Sequence, residues 1–402
     1  MSVHMNRDND VFAINNFRSY LRINTAQPGA QYGPCVDFLE FHARQLRLRL
    51  EKLEIVSGKI IVLMKWLGTE PDLPAILLNS HMDVTRVFDE WDNDPYSVVR
   101  GGEDRVYARG AQDSKCVGMQ YLEAVRRLKL ANKRLKRTIY ITFMPDAEIG
   151  GLDGMYKFVH SPHFAKLNIG YALDAGMATP DDDITVFFGE RCFWNVRIHC
   201  PGDLGDGSLI LANSAGEKMT RVLKKFFTFR LEEMQKLKDN PEWTLANVVT
   251  MNLTKIEGGP DLNNMLKSEF VLIFDCRIPL ERQNIEDFHT TMVQWCRDIS
   301  GDIRIDYLAK EQQVPHTQLN DKYWRAIKYE VRGFDLEIHS EVFPGRTDRR
   351  HLREIGVPVV GFSPIIRTLP LLHDSDEHID IENFLQGIRI YYFLLSRMGN
   401  LP

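Results

Sequence analysis

Thr138–Gly151 has the sequence TIYITFMPDAEIGG, in which an apolar run ends in two carboxylates and two glycines. The run is short and rich in β-branched and aromatic residues, which is typical of a strand buried on both faces of a sheet. Three further runs have the same character: KIIVLMKW (Lys59–Trp66), AILL (Ala75–Leu78) and IGYAL (Ile169–Leu173). The first half of the chain is therefore predicted to contribute several strands to one sheet.

A helical pattern lies between AILL and TIYITF. Val117, Tyr121, Val125 and Leu128 recur at spacings of four, four and three residues, so they share one helical face. Strands that alternate with helices indicate an α/β domain with a mostly parallel sheet.

From about residue 190 the pattern changes to strand, helix, strand, strand, helix, strand. The predicted segments are Cys192–Cys200, Glu217–Leu237, Val248–Ile256, Ser268–Ile278, Ile285–Ile299 and Ile303–Leu308. This βαββαβ order is the ferredoxin-like arrangement, which forms a small domain of its own. A helix over Tyr323–Val331 and a strand over Val357–Phe362 then resume the first pattern. We therefore predict an α/β domain in two parts, residues 1–189 and 311–402, interrupted by a ferredoxin-like domain over residues 190–310.

Composition and charge restrict the class of protein. A net charge of -5 and a pI near 6.2 do not suit a nucleic-acid-binding surface. The N-terminal MSVHMNRDND lacks the apolar core of a signal peptide, and no run approaches the roughly 20 apolar residues that cross a bilayer. The six cysteines show no Cys-x-x-Cys pair, so we expect reduced thiols in a cytoplasmic protein. A metal site would then be built from histidines and carboxylates.

Three of the predicted strands end in residues that bind metals. AILLNSHMD ends in His81 and Asp83, TIYITFMPDAE in Glu148, and IGYALD in Asp174. Open α/β sheets place their sites at the carboxyl ends of the strands, so these groups are expected to converge. Asp83 lies two residues after His81 on the same side of an extended segment, where its carboxylate would accept the other ring N–H.

Asp113 and His373 complete the candidate set. Asp113 lies in YARGAQDSK just before the predicted helix, and His373 lies in LLHDSDE late in the chain. Two histidines and three carboxylates match the donors of zinc or a similar divalent ion. One carboxylate that bridges two ions would use all five ligands, and Asp113 is the candidate bridge. Taken alone, Asp113 followed by Ser114 would equally make an ordinary helix N-cap.

The chain also resembles a known family. SHMDV, YARGAQDSKC, PDAEIGG, YALDAG, IEGGPDLNN, FDCRIP, TDRRHLR and VGFSPIIRTLPLLHDSDE are similar, in this order, to the signatures of the aminoacylase-1 family. That family belongs to a wider clan of two-zinc aminoacylases, carboxypeptidases and peptidases. The resemblance implies hydrolysis of N-acyl-L-amino acids in the cytosol. It also implies that the inserted domain is a lid and forms a homodimer.

The resemblance assigns metal roles to the candidate ligands. It implies two Zn2+ ions per chain, one held by His81, Asp113 and Glu148 and the other by Asp113, Asp174 and His373. The assignment of Glu148 and Asp174 to one ion or the other follows from the resemblance alone.

Contacts to the substrate are implied at Asn263, Arg277 and Arg350. Arginine suits bidentate recognition of the substrate carboxylate. Without the family, a surface ion pair would be the favoured interpretation of each arginine.

Three positions depart from the family's pattern. The family has Pro-Asp-Glu-Glu where this chain has PDAE, so Ala147 replaces the general base that takes a proton from the attacking water and returns it to the leaving amine. In CPGDLGDGS (Cys200–Ser208), Asp206 stands where the family has a His that stabilises the oxyanion in the partner subunit's site. Ala175 stands where the family usually has Glu. Loss of an acid–base group costs about 10²–10⁴-fold in rate, and loss of one oxyanion donor costs about 10²–10³-fold.

These departures leave two hypotheses. The favoured one is a degenerate aminoacylase, a pseudoenzyme that binds zinc and N-acyl amino acids but hydrolyses them poorly or not at all. The alternative is an active zinc hydrolase of N-acyl-L-amino acids, or of a related amide or dipeptide, with a substitute base. Asp146 is not favoured as that base because adjacent side chains on an extended segment point to opposite sides, and His199 is interpreted as a structural residue. An engineered change would explain Ala147 alone, whereas natural divergence explains all three departures.

Overall fold

The computed structural model describes residues 7–87, 91–92, 94–101, 105–258 and 264–402. These residues form two compact units. The first unit contains the chain up to Gly189 together with Pro315–Glu341 and Thr347–Pro402. The second unit contains Glu190–Val314 and the short segment Val342–Arg346.

Both parts of the chain contain helices and strands. The helices are α1 (Arg7–Leu21), α2 (Gly33–Gln45), α3 (Lys115–Leu130), α4 (Lys157–Val159), α5 (Pro162–Ala165), α6 (Ala215–Asp239), α7 (Ile285–Ile299), α8 (Lys322–Arg332), α9 (Arg349–Glu354) and α10 (Ile381–Met398). The strands are β1 (Arg49–Val56), β2 (Lys59–Trp66), β3 (Ala75–His81), β4 (Val99–Gly101), β5 (Arg105–Tyr107), β6 (Ile139–Met144), β7 (Ile169–Asp174), β8 (Asp183–Glu190), β9 (Cys192–Pro201), β10 (Gly205–Asp206), β11 (Thr250–Gly258), β12 (Met265–Leu266), β13 (Glu269–Ile278), β14 (Arg304–Lys310), β15 (Glu337–Phe343), β16 (Val359–Phe362) and β17 (His378–Asp380).

The main sheet has the strand order β1-β2-β6-β3-β7-β16-β8-β15. Its centre, β6, β3, β7 and β16, is parallel. Antiparallel strands flank this centre, with β2 and β1 on one side and β8 on the other. The prediction of an α/β fold with a largely parallel main sheet is confirmed. The β1–β2 flank is antiparallel because a tight turn joins the two strands through Gly58, at a φ of 76°.

Both faces of the central strands are buried, which explains their continuous apolar sequences. All residues of β3 are buried, and alternate side chains enter different cores. Ile76 and Leu78 pack in the core that contains residues of α3 and α10. Ala75 and Leu77 pack in a second core with Phe158 of α4.

The second unit contains an antiparallel sheet of order β11-β13-β9-β14. The strands of this sheet and the helices α6 and α7 follow one another in the chain as β9, α6, β11, β13, α7, β14, which is βαββαβ. Alternate residues of β9, beginning at Cys192 and ending at Cys200, are buried in one core. Val222 of α6 and Phe288 of α7 belong to the same core, so both helices pack on one face of this sheet.

None of the helices in the described ranges combines the length and the apolar character needed to cross a membrane. The apolar helix α10 packs within the first unit instead, against α3 and α8. Its Phe384 stacks on Phe17, and its Tyr391 meets Tyr121 of α3 edge to face.

Candidate metal centre

The carboxyl ends of three parallel strands meet at one edge of the main sheet. In the register of β3 and β6, His81 lies opposite Met144, which precedes the turn that contains Glu148. On the other side of β3, the parallel strand β7 ends at Asp174. The side chains at these strand ends therefore lie where open α/β sheets place their sites.

His81, Asp113 and Glu148 form a cluster with the donors of a metal site. Each offers one ligand atom, and these atoms all lie within 4.8 Å of one another. His81 Nε2 lies 3.0 Å from Asp113 Oδ1. Burial alone would lower the pKa of His81, but the hydrogen bond to Asp113 and the charges of Asp113, Asp83 and Glu148 raise it well above its ordinary value. The cluster thus carries an excess of negative charge that a divalent cation would neutralise, and its donors fit zinc.

The imidazole of His81 is held by the main chain of Asp83. His81 Nδ1 donates to the Asp83 carbonyl oxygen at 2.8 Å, whereas the nearest carboxylate oxygen of Asp83 lies 3.7 Å away. Asp83 is thus the expected partner of this ring N–H, but the expectation that its carboxylate is the acceptor is wrong. The acceptor is the main-chain carbonyl oxygen. The main-chain contact still leaves Nε2 directed at Asp113.

The Asp83 carboxylate instead fixes the turn after β6. Oδ1 accepts the main-chain N–H of Ala147 at 3.1 Å, and Oδ2 accepts that of Glu148 at 3.0 Å. Oδ2 also accepts Nε2 of Gln27 at 3.1 Å. Burial raises the pKa of Asp83 to about 6, against the opposing charge of His81. Asp83 is thus a positioning residue for the segment that carries Glu148.

MPDAEIGG forms a tight turn and is not extended. Asp146 has a φ of 61°, and Ala147–Ile149 form a single 3₁₀ turn. The Asp146 carboxylate is buried and accepts the hydroxyl of Tyr32 at 2.6 Å and Nε2 of Gln27 at 2.8 Å. Lys59 Nζ adds an ion pair at 2.7 Å. The expectation of an extended segment is therefore wrong. These three donors and the left-handed backbone set the position of the Asp146 side chain.

Asp174 and His373 lie outside the three-residue cluster in the described part of the chain. Asp174 Oδ1 accepts Nδ2 of Asn79 at 3.0 Å and the N–H of Ala175 at 2.9 Å. His373 contacts the cluster at Glu148, since its Nε2 lies 3.1 Å from Glu148 Oε2. That hydrogen bond raises the pKa of His373 against the effect of burial. The structure therefore gathers the ligands assigned to one ion more closely than those assigned to the other.

Glu377 shapes the loop that carries Asp113. Its buried carboxylate accepts the main-chain N–H groups of Gly110 at 2.9 Å, Gln112 at 2.6 Å and Asp113 at 3.2 Å. Arg109 Nη1 donates to the same carboxylate at 3.1 Å. Sequence reasoning missed this role, although HDSDE places Glu377 close to the candidate ligand His373.

Sequence reasoning also missed two buried charged residues in TDRRHLR. Arg349 is fully buried, and its Nη1 donates to the carbonyl oxygen of Ala175. The Asp348 carboxylate lies against Gly151, where an added Cβ would come within 2.1 Å of Oδ1. Burial, with the charge of Asp174, raises the pKa of Asp348 to about 8. The sequence offers no signal for their burial, because an arginine–aspartate run is typical of a solvated surface.

Arg277 is engaged by a carboxylate of its own unit. Its Nε and Nη2 donate to the two oxygens of Asp275 at 2.7 and 2.9 Å, and its guanidinium lies over the ring of Phe193. An ion pair of this kind is the interpretation of Arg277 that the sequence favours when the family resemblance is left aside. Asn263 lies outside the described residues.

Arg350 contacts the turn that follows Glu148. Its Nη2 donates to the carbonyl oxygen of Gly150, and its Nη1 donates to that of Thr347 at 3.1 Å. Arg350 is buried, so these contacts fix the turn from the side of α9.

Asp206 and His199 lie in the second unit. Asp206 is exposed, and its Oδ1 accepts the N–H and the hydroxyl of Ser208 at 2.9 and 2.7 Å. These hydrogen bonds lower the pKa of Asp206, so it is ionised at neutral pH. His199 pairs with Asp306 at 3.0 Å and with Glu269 at 3.4 Å, which agrees with a structural role.

Comparisons with known proteins identify the family. The sequence model of peptidase family M20/M25/M40 matches residues 77–397. Aminoacylase-1 from Mus musculus is 42% identical over 389 residues, which cover 96% of this chain and 95% of that protein. Aminoacylase-1 from Dictyostelium discoideum is 35% identical over 397 residues, which cover 96% of this chain and 97% of that protein. An M20 family metallo-carboxypeptidase from Sulfolobus solfataricus has the same fold, with a TM-score of 0.76 at 16% identity over 96% of this chain and 99% of that one. This chain therefore belongs to peptidase family M20/M25/M40, as an aminoacylase-1-like metallohydrolase.

Proposed function

We propose that this chain binds zinc and an N-acyl-L-amino acid but hydrolyses the amide bond poorly or not at all. The observation that carries the proposal is the methyl group of Ala147, which stands where the aminoacylase-1 family has its general base. Its two neighbours have other partners, since Asp146 is held by three donors and Glu148 belongs to the metal cluster. The substrate class follows from the similarity to proteins named aminoacylase-1.

His81, Asp113 and Glu148 would hold the ion. Their ligand atoms lie within 4.8 Å of one another, and the ring of His81 is fixed through Nδ1. Zinc would supply Lewis acidity at this site. The attacking water must still give its proton to the protein, which returns it to the leaving amine.

The carboxylates beside the turn are poorly placed to accept that proton. Asp146 binds Tyr32, Gln27 and Lys59, and Asp83 accepts two main-chain N–H groups of the turn. Neither carboxylate can take up a proton without weakening the contacts that hold Glu148 in place. Loss of the acid–base group is expected to cost about 10²–10⁴-fold in rate.

Asp206 adds a second penalty in this proposal. The family's oxyanion-stabilising His is replaced by an ionised carboxylate, which would repel the developing negative charge. If the two penalties are independent, hydrolysis falls by about 10⁴–10⁷-fold.

We also propose a cytoplasmic homodimer that forms through the second unit. Free, buried cysteines agree with a reducing compartment. In the sheet of the second unit, β11 and β14 are the edge strands, and exposed edges favour pairing with another chain. On α6, Phe227 and Leu231 are exposed apolar residues of the kind that subunit contacts cover.

An active hydrolase is the second candidate. The observation that favours it is the buried Asp348 carboxylate, which lies against Gly151 in the turn that carries Glu148. The pKa of Asp348 is raised to about 8 by burial and by Asp174, and the charge of His81 also acts on it. A carboxyl group that titrates near neutral pH is suited to proton transfer. The ionised form of Asp348 would then act as the substitute base.

Calorimetric titration of the zinc-loaded protein with N-acetyl-L-methionine, together with an assay for released methionine, tests the proposal. We expect saturable binding without measurable release, and loss of both zinc and ligand binding in His81→Ala. Ordinary turnover would refute the degenerate function. If that turnover disappears in Asp348→Asn while ligand binding persists, the second candidate is correct.

A further inference from the structure

The guanidinium of Arg349 lies at the carboxyl edge of the parallel strands. Arg349 is the first residue of α9 and is fully buried. Its Nη1 donates to the carbonyl oxygen of Ala175, directly after β7. A Cβ added to Gly361 would come within 2.2 Å of Nη1 and 2.6 Å of Cζ, so the guanidinium packs on this glycine. Gly361 of β16 lies opposite Asp174 in the register of β16 and β7, which places the guanidinium beside Asp174.

The charge of Arg349 lies next to a residue that the family resemblance assigns to a second zinc ion. Asp174 is buried, and the guanidinium packs on Gly361, which lies opposite Asp174 in the register of β16 and β7. An arginine side chain stays protonated in proteins, so this positive charge is permanent.

Asp174 and His373, which the resemblance assigns to the second ion, each have a partner within the chain. Asp174 binds Asn79 and the N–H of Ala175, and His373 pairs with Glu148. Within the described ranges, the donors gathered closely enough for an ion are those of His81, Asp113 and Glu148. The second position therefore offers a divalent cation a less closely gathered set of donors than the first.

We propose that Arg349 supplies the second positive charge of this site, so that the chain binds one divalent ion instead of two. A fixed cation beside Asp174 neutralises the carboxylate that a second ion would need and repels that ion. Burial of a charged arginine is tolerated when hydrogen-bond acceptors and a carboxylate lie nearby. The carbonyl oxygen of Ala175 accepts from Nη1, and Asp174 is the neighbouring carboxylate. Gly361 permits the arrangement because any side chain there would overlap the guanidinium. This inference rests on the proposed zinc site and deepens it.

Zinc content per chain tests the inference without any measurement of activity. The protein is loaded with excess Zn2+, freed of loose metal on a desalting column and analysed by mass spectrometry for zinc and by amino-acid analysis for protein. We expect one zinc ion per chain for the unaltered protein and one for Arg349→Lys, which keeps the charge. Arg349→Gln removes the charge and is expected to bind two. Two ions in the unaltered chain, or one in a folded Arg349→Gln variant, would overturn the inference.

A second variant covers the case in which Arg349→Gln does not fold. Asp174→Asn in the otherwise unaltered chain is expected to retain its single zinc ion with an affinity within about threefold, as measured by competition with a chromophoric chelator. Loss of a zinc ion from Asp174→Asn would show that Asp174 is a ligand and would overturn the inference. Absence of zinc from the unaltered chain would instead refute the proposed His81–Asp113–Glu148 site, so the two failures are distinguishable.

Discussion

The Asp83 carboxylate accepts the main-chain N–H of Glu148 at 3.0 Å, so a residue at the end of one strand fixes a candidate ligand beyond the end of its neighbour. Its other oxygen accepts the N–H of Ala147. Asp83→Asn leaves a single acceptor oxygen for these two donors. We expect zinc affinity to fall about 10–100-fold, as is typical when a residue that supports metal ligands is changed. Chelator competition measures this, and Asp72→Asn, an exposed change before the other end of β3, is the control.

Tyr32 stabilises the turn through Asp146. Its hydroxyl donates to Asp146 Oδ1 at 2.6 Å and accepts the main-chain N–H of Asp146 at 2.9 Å. Tyr32→Phe leaves both buried groups with one partner fewer, so we expect the free energy of unfolding to fall by about 1–3 kcal/mol. Urea denaturation measures the change, and the exposed Tyr329→Phe is expected to have little effect. Equal losses in the two variants would contradict the structural role of Tyr32.

Asp348 makes the stability of the protein depend on pH. Its pKa is about 8 in the folded state, against about 3.9 in an unfolded chain. The folded state therefore binds the proton more tightly, and this contribution to stability is complete below about pH 4 and is lost as the pH rises towards 8. Asp348→Asn removes the titration. We compare the free energy of unfolding of the variant with that of the unaltered chain at each pH. We expect the difference, variant minus unaltered chain, to be greater at pH 8 than at pH 5 by an amount on the order of a few kcal/mol.

Urea denaturation at both pH values gives the difference, with the exposed Asp181→Asn as the control. A difference between Asp348→Asn and the unaltered chain that is the same at pH 5 and pH 8 would show that Asp348 does not titrate in this range. That result would also remove the basis of the second candidate function.

Four inner strands of the main sheet were predictable from the sequence. KIIVLMKW is β2 itself, and the runs that precede His81, Glu148 and Asp174 are β3, β6 and β7. These strands are buried on both faces, so their apolar residues are contiguous and conspicuous. Strand β1 mixes exposed and half-buried residues, and β15 is buried only at its last two residues, so the sequences of these edge strands carry no comparable signal.

The partners of the candidate ligands were not predictable, because they lie far apart in the sequence. The sequence predicts that the Asp83 carboxylate binds the nearby ring of His81. In the structure its two oxygens instead accept main-chain N–H groups of the turn that follows β6. Asp146 was assigned an extended backbone, and its left-handed conformation becomes evident only once Tyr32 and Lys59 are in place around it. A local sequence pattern shows which strand a residue terminates. It does not show which donor from a distant part of the sequence forms a hydrogen bond with that residue.

The rate of N-acetyl-L-methionine hydrolysis by Ala147→Glu, relative to the unaltered chain and to Ala147→Gln, tests the central claim most directly. The glutamate places a carboxylate at the position that the proposal assigns to the general base, whereas glutamine has nearly the same shape and cannot accept the proton. With equal zinc content in all three proteins, we expect kcat to rise at least about 10²-fold in Ala147→Glu only. A substantial kcat in the unaltered chain that Ala147→Glu does not increase would contradict the claim that hydrolysis was lost at residue 147.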